Sequence, residues 1–222
     1  MYNYSALVWL FSSCLVIRYL YFIVDVCLHS FQKYADLPLD RRKYVQKNLI
    51  KSVYLAILTL VAGITLIVPI WRDGIWDNLT IHRLAALYVS NDIVGLVCVS
   101  NLPKTTRIHH ITTTVLVFIS FGIDFQTSDI GQAMLVYTMA SASAYIVNLH
   151  LAVRWLCPRG TLKKLRIFSG FVYVVCCIFS WSWHLWWFFT AAVWSKYHVA
   201  YVILLSLIVR DDIILMRWLT AS

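Results

Sequence analysis

The sequence predicts an all-α fold: one membrane domain over residues 1–222, built from about seven transmembrane helices in a bundle or barrel around a lipid-sized cavity. Three observations predict it. Hydrophobic residues make up 61% of the chain and charged residues 13%, with a mean hydropathy of +0.74, the balance of a chain whose solvent is lipid. Seven apolar segments reach the roughly 20 residues that a helix needs to cross the hydrocarbon, and the polar connections between them leave no room for a soluble domain. Barrel strands would be about half as long and would alternate in polarity, which these segments do not.

The spans follow in order. The first, Tyr4 to His29, carries Arg18 and Asp25, and because Met1 to Tyr4 lacks the basic leader of a cleavable signal it is expected to stay in the mature chain. The second runs from Asn48 to Ile70 and the third from His82 to Asn101, with Asp92 in "YVSNDIVGL". The fourth, Thr105 to Phe125, opens behind Pro103 in "NLPKTT", where proline suits a first helical turn. It contains "RIHHITTTVLVFIS", with adjacent His109 and His110. The fifth is Asp129 to Val153. The sixth, Leu165 to Thr190, ends in "WSWHLWWFF", and the seventh, Tyr197 to Leu219, holds Arg210, Asp211 and Asp212 in its interior.

Orientation follows from the basic residues, since basic loops stay cytoplasmic during insertion. Lys33, Arg41, Arg42, Lys43, Lys47, Lys104, Arg107, Arg154, Arg159, Lys163 and Lys164 fall in the connections after spans one, three and five. The opposite side has only Arg72, Arg83 and Lys196, beside Asp73, Asp77, Asp124 and Asp129. The N-terminus is therefore expected in the lumen and the C-terminus in the cytosol. The net charge of +9 reads as a topology signal with affinity for anionic cytoplasmic lipid, not as nucleic-acid binding.

No cysteine of the six falls in a lumenal loop, so disulfides are not expected. Juxtamembrane Cys27, Cys98 and Cys157 are weak evidence for palmitoylation. The glycosylation triplet at Asn78 stands in a loop too short for use. Trp181, Trp183, Trp186 and Trp187, level with Trp71 and Trp76, read as an interfacial belt, with Trp155 and Trp218 marking the other face.

Function is sought in what does not belong in lipid: Arg18, Asp25, Asp92, His109, His110, Arg210, Asp211 and Asp212. An ionisable group costs about 2.5 to 3.5 kcal/mol to insert, so such groups face a bundle interior and mark a site, or pair to join helices, for example Arg18 or Arg210 with an aspartate. At 1.5 Å per residue Asp92 lies ~12 Å inside the third span, and His109 and His110 ~9 to 11 Å inside the fourth. The three can lie level, and Arg210, Asp211 and Asp212 of the seventh span fall at the middle and toward the cytosolic half, near the depth of Asp25. A polar pocket in the cytosolic half is expected, open to an acyl-CoA or a lipid headgroup.

Adjacent histidines stand about 100° apart on a helix, so one can act on a ligand while the other orients. Thr112, Thr113 and Thr114 lie on the same faces, an arrangement that suits a neutral imidazole acting as general base or plain interhelical hydrogen bonding. Metal is disfavoured. Paired histidines also serve membrane di-iron enzymes, but those need several such boxes, and His29, His82, His150, His184 and His198 are scattered.

The spacing His109, His110, Thr113, Leu116, Ser120 resembles the first half of the signature of the TLC superfamily, the membrane domain shared by ceramide synthases, translocating-chain-associated membrane proteins and a ceroid lipofuscinosis protein. Asp92 suits the acidic position one helix upstream. The resemblance implies a helical barrel around a lipid-sized cavity, residence in the endoplasmic reticulum or a related membrane, and a part in sphingolipid or phospholipid metabolism. In ceramide synthases the signature continues with a glycine, a His-Asp pair and a further Asp; counted from Gly131 this chain has Thr138, Met139 and Ala142 there, and Asp124 replaces an Asn. "SASAYIVN", with Ser143 and Asn148, is more similar to TLC-domain proteins that are not established synthases, although Ser141 replaces their usual glutamate.

Two functions of different class follow. In the first the protein binds lipid, in sensing, transfer or regulation of membrane composition, with Asp92, His109, His110, Thr113, Asp211 and Asp212 arranging a headgroup and no cofactor. In the second it is an acyl-CoA-dependent acyltransferase with His109, His110 and Asp92 catalytic, Asp211 or Asp212 supplying the missing partners, and acyl-CoA as substrate. A seven-helix receptor is disfavoured by the short loops and the lack of an extracellular disulfide pair.

Overall fold

The computed structural model describes residues 4–190 and 194–221, so most of Met1 to Tyr4, on which the expectation of an uncleaved first span rests, lies outside the described residues. Among the described residues every regular element is helical: α1 (Tyr4–His29), α2 (Gln32–Ala35), α3 (Leu39–Ala62), α4 (Val68–Asp73), α5 (Asn78–Cys98), α6 (Lys104–Ser120), α7 (Asp129–Ser143), α8 (Tyr145–Val153), α9 (Arg159–Thr190) and α10 (Lys196–Thr220). A π-helical turn over Gly63–Ile67 joins α3 to α4. It stands directly before Pro69, whose ring would clash with the carbonyl four residues back and which has no N–H for the ladder, so the backbone widens instead of breaking.

Local chemistry sets the ends. Pro38 and Pro103 occupy the N-cap positions of α3 and α6, and Pro158 precedes α9, where a missing N–H costs nothing. Gly74 closes α4 at φ 66°, a left-handed conformation that a side chain would oppose. Ser128 accepts from the backbone N–H of Gly131, and Ser195 forms a capping box with His198, whose Nε2 lies 2.9 Å from Asp129 Oδ2. That contact joins the first turns of α7 and α10.

Among the described residues five helices are long and apolar enough to cross a membrane: Tyr4–His29, Leu39–Asp73, Asn78–Cys98, Asp129–Val153 and Arg159–Thr190. The chain is thus compatible with an integral membrane protein. The fourth and seventh expected spans correspond to α6, which is only 17 residues long, and α10, which carries Arg210, Asp211 and Asp212 at its middle. The boundaries of the first span coincide with α1. The second begins nine residues earlier than Asn48, at Leu39, and runs to Asp73. The third is shifted to Asn78–Cys98, the fourth stops at Ser120, the fifth breaks at Ala144 between α7 and α8, and the sixth starts at Arg159.

Neighbour relations close a ring: α3 packs on α5, α5 on α6, α6 on α10, α10 on α9, and α9 on the α7–α8 pair, which returns to α3. Outside it, α1 lies along α5 and α3. Large apolar side chains cover the outer faces, as with Phe11, Leu60, Ile64, Val97 and Phe171. Of the most apolar stretch of α1 22% is buried, against 61% in α5, so α1 is peripheral and α5 is enclosed. Inside the ring lie a narrow apolar cavity of about 50 Å³ and a polar one of about 280 Å³. Tyr88, on the wall of the first, hydrogen-bonds at 2.9 Å to Ser141, on the wall of the second.

Candidate functional site

The polar chamber is lined from α3, α6, α7, α8, α9 and α10. Asp92, wholly buried on α5, lies behind its lining, against Lys51 and His110. Its carboxylate is paired with the ammonium of Lys51, lies 3.2 Å from His110 Nδ1 and 3.3 Å from the Thr113 hydroxyl. A buried carboxylate needs such company, because an uncompensated charge in the interior costs several kcal/mol.

The two histidines part as helix geometry requires. Their rings are 5.6 Å apart at 86°. His110 turns to α5 and Asp92, while His109 turns to α10, with Nδ1 3.4 Å from Asp211 Oδ2. Both line the same chamber, and His110 Nε2 is buried without a hydrogen-bond partner. Of the threonine hydroxyls, Thr113 lies 3.1 Å from the carbonyls of both His109 and His110, and Thr114 donates to the His110 carbonyl at 2.7 Å. On the next face of α10 Asp212 accepts from the Tyr173 hydroxyl at 2.7 Å.

The six residues singled out in the sequence are brought together: His109, His110, Asp211 and Asp212 line the chamber, Asp92 lies behind it against Lys51 and His110, and Thr113, beside Asp92, faces the apolar cavity. Three others are not. Asp25 is held at the junction of α1, α2 and α3 by Tyr34 at 2.6 Å and Gln46 at 2.7 Å. Arg18 and Arg210 are exposed on the outer faces of α1 and α10, and among the described residues neither forms an ion pair, so an aspartate partner for them is corrected. Trp187 is likewise buried, stacked on His198 at 5.8 Å, and not free at an interface.

Sequence reasoning missed Lys47, Lys51 and Tyr173. Lys47 belongs to no loop: both lysines are buried, one helical turn apart on α3, facing the chamber. Lys51 already lay within the expected second span, and an intramembrane lysine is itself the signal that the depth argument should have used. Among the described residues no group of three or more His, Cys, Asp or Glu side chains is placed to hold a metal ion. All six cysteines are free.

The arrangement can bind polar groups within an apolar ring, and it places two imidazoles, each beside a carboxylate, at one chamber. This defines a helical, membrane-compatible protein with a polar site in a cleft between its helices. Comparison with protein-family models, with curated proteins and with solved structures finds no match to this chain.

Proposed function

We propose that this is a TLC-like membrane protein of the endoplasmic reticulum or a related membrane, which binds a lipid and acts in lipid sensing, transfer or regulation of membrane composition. In this reading all seven spans cross the bilayer, with the N-terminus lumenal and the C-terminus cytosolic, and α6 and α10 turn His109 and Asp211 to each other inside a barrel. The lipid is a sphingolipid or phospholipid. Its headgroup is arranged by Asp92, His109, His110, Thr113, Asp211 and Asp212, and its chains follow the apolar wall. The carrying observation is the polar chamber of about 280 Å³, close to the lower size of small-molecule sites, lying between helices whose outer faces are apolar.

The test is the mass of lipid that co-purifies with the protein in mild detergent, compared with the His109→Ala, His110→Ala double variant. A defined lipid class enriched with the wild type and depleted in the variant is expected. Equal recovery from both sinks the reading.

One observation favours acyl transfer as the second reading. Asp211 Oδ2 stands 3.4 Å from His109 Nδ1, and in this second reading it orients the ring and leaves Nε2 to act as a base. His109 then removes a proton from an amine or hydroxyl as that atom attacks the thioester carbonyl of acyl-CoA. The new C–N or C–O bond replaces C–S, and the proton leaves on the thiol. Membranes given labelled acyl-CoA with a long-chain base or a lysophospholipid distinguish the two. Product no greater than in control membranes is expected. Product above control that disappears in both H109A and D211N establishes the transferase instead.

A further inference from the structure

Each carboxylate at the chamber already faces a donor. Asp92 has Lys51 and Thr113, Asp212 has Tyr173, and Asp211 has the nearby His109. Two cations are left over. Lys47 is buried at 3% exposure, and among the described residues no carboxylate lies within ion-pair distance of its ammonium. Its stem is pressed against α5, where a methyl group added at Gly95 would come 3.0 Å from Lys47 Cε. The ammonium is therefore directed rather than free to swing out. Arg154 has its guanidinium 3.8 Å from the Trp155 ring centroid and 4.7 Å from that of Tyr44, and its Nε is buried without a partner. Lys47 Nζ lies 6.0 Å from the same Tyr44 ring, so both cations flank one aromatic side chain on one chamber wall. His110, which lines the same chamber, has its Nε2 buried without a hydrogen-bond partner.

A buried ammonium and a stacked guanidinium lacking counter-charges, beside a spare imidazole nitrogen, match an oxyanion with several acceptor atoms. We infer that the chamber takes a phosphate group, held between Lys47 and Arg154. This rests on the headgroup reading of the site, and the phosphate arrives either on a lipid headgroup or as a free ion. The stacked guanidinium offers its planar fork to two phosphate oxygens, while Lys47 acts as a point charge deeper in the wall. Neutral glycerolipids, which lack the anion, would leave both cations unsatisfied.

The full chain is purified in detergent, and affinities are measured for dioctanoyl phosphatidate, for dioctanoylglycerol, which has the same chains without the phosphate, and for inorganic phosphate. The variants are K47M, which keeps the stem against Gly95, and R154Q, at the less buried end. Phosphatidate is expected to bind the wild type at least about tenfold more tightly than dioctanoylglycerol. K47M should lose about ten- to a hundredfold of phosphatidate affinity, and R154Q should lose affinity in the same direction, neither altering that for dioctanoylglycerol. If K47M does not fold, R154Q decides alone. Inorganic phosphate binding as tightly as phosphatidate, with the same dependence on Lys47 or Arg154, supports the anion site and assigns its source to the free ion, against a lipid headgroup. Equal binding of the two lipids, indifferent to both variants, overturns the anion and leaves the headgroup reading standing. Binding of none of the three probes overturns both.

Discussion

Replacing Lys51 with methionine tests a charge pair whose two side chains are almost wholly buried. The change keeps the length of the side chain and removes its charge, leaving Asp92, which is wholly buried, with only the Thr113 hydroxyl at 3.3 Å and His110 Nδ1 at 3.2 Å. Breaking a buried pair from one side costs about 3 to 5 kcal/mol, because a charge is stranded without compensation. The two remaining neighbours, and the chamber on the lysine side, place K51M at the low end, near ~3 kcal/mol. At about 2 to 4 °C per kcal/mol for a chain of this size, the melting temperature in detergent should fall by ~6 to 12 °C. D92N alone strands the lysine in turn. The double variant K51M/D92N strands neither, so its loss should be smaller than the two single losses together by at least ~2 kcal/mol. A fall of less than about 3 °C for K51M, or single losses that simply add, would show that the pair contributes no such coupling and that water reaches Asp92.

Two further outcomes are expected. Asp77 caps α5 through the backbone N–H of Leu79 at 3.0 Å, and the Thr80 hydroxyl bonded to its carboxylate holds that group below the usual carboxylate range. Its stabilisation is therefore complete above about pH 4, the unfolded value, and is lost as pH falls through the lower folded value. D77A should cost ~0.5 to 2 kcal/mol at neutral pH, and a difference from wild type that persists unchanged in acid melting curves would contradict the assignment. A methyl group at Gly131 would stand 2.8 Å from Ile123 Cγ2 and 3.1 Å from Phe125 Cδ1, so G131A should cost ~1 to 3 kcal/mol by overpacking the turn before α7; a neutral melting temperature would show that this turn yields freely.

Much of the helical plan was legible in the chain because it depends on local chemistry. Apolar runs long enough to cross a bilayer located the helices, α1 to the residue, and Pro103 marked the start of α6. Intramembrane charge pointed to Asp92, His109, His110, Asp211 and Asp212. What escaped depends on lateral packing. Lys47 and a loop lysine look alike in a sequence, since burial is set by what lies beside α3, namely α5 and α8. The break at Ala144 carries no proline or glycine to announce it. Asp211 and Asp212 are adjacent and about 100° apart, and neither composition nor depth selects which one meets His109. Packing of α10 between α6 and α9 turns Asp211 to the histidine and Asp212 to Tyr173. Hydrophobic length and cap chemistry act along one helix and can be read along it, whereas the rotation of each helix about its axis, which chooses the partners at the site, exists only once the neighbours are in place.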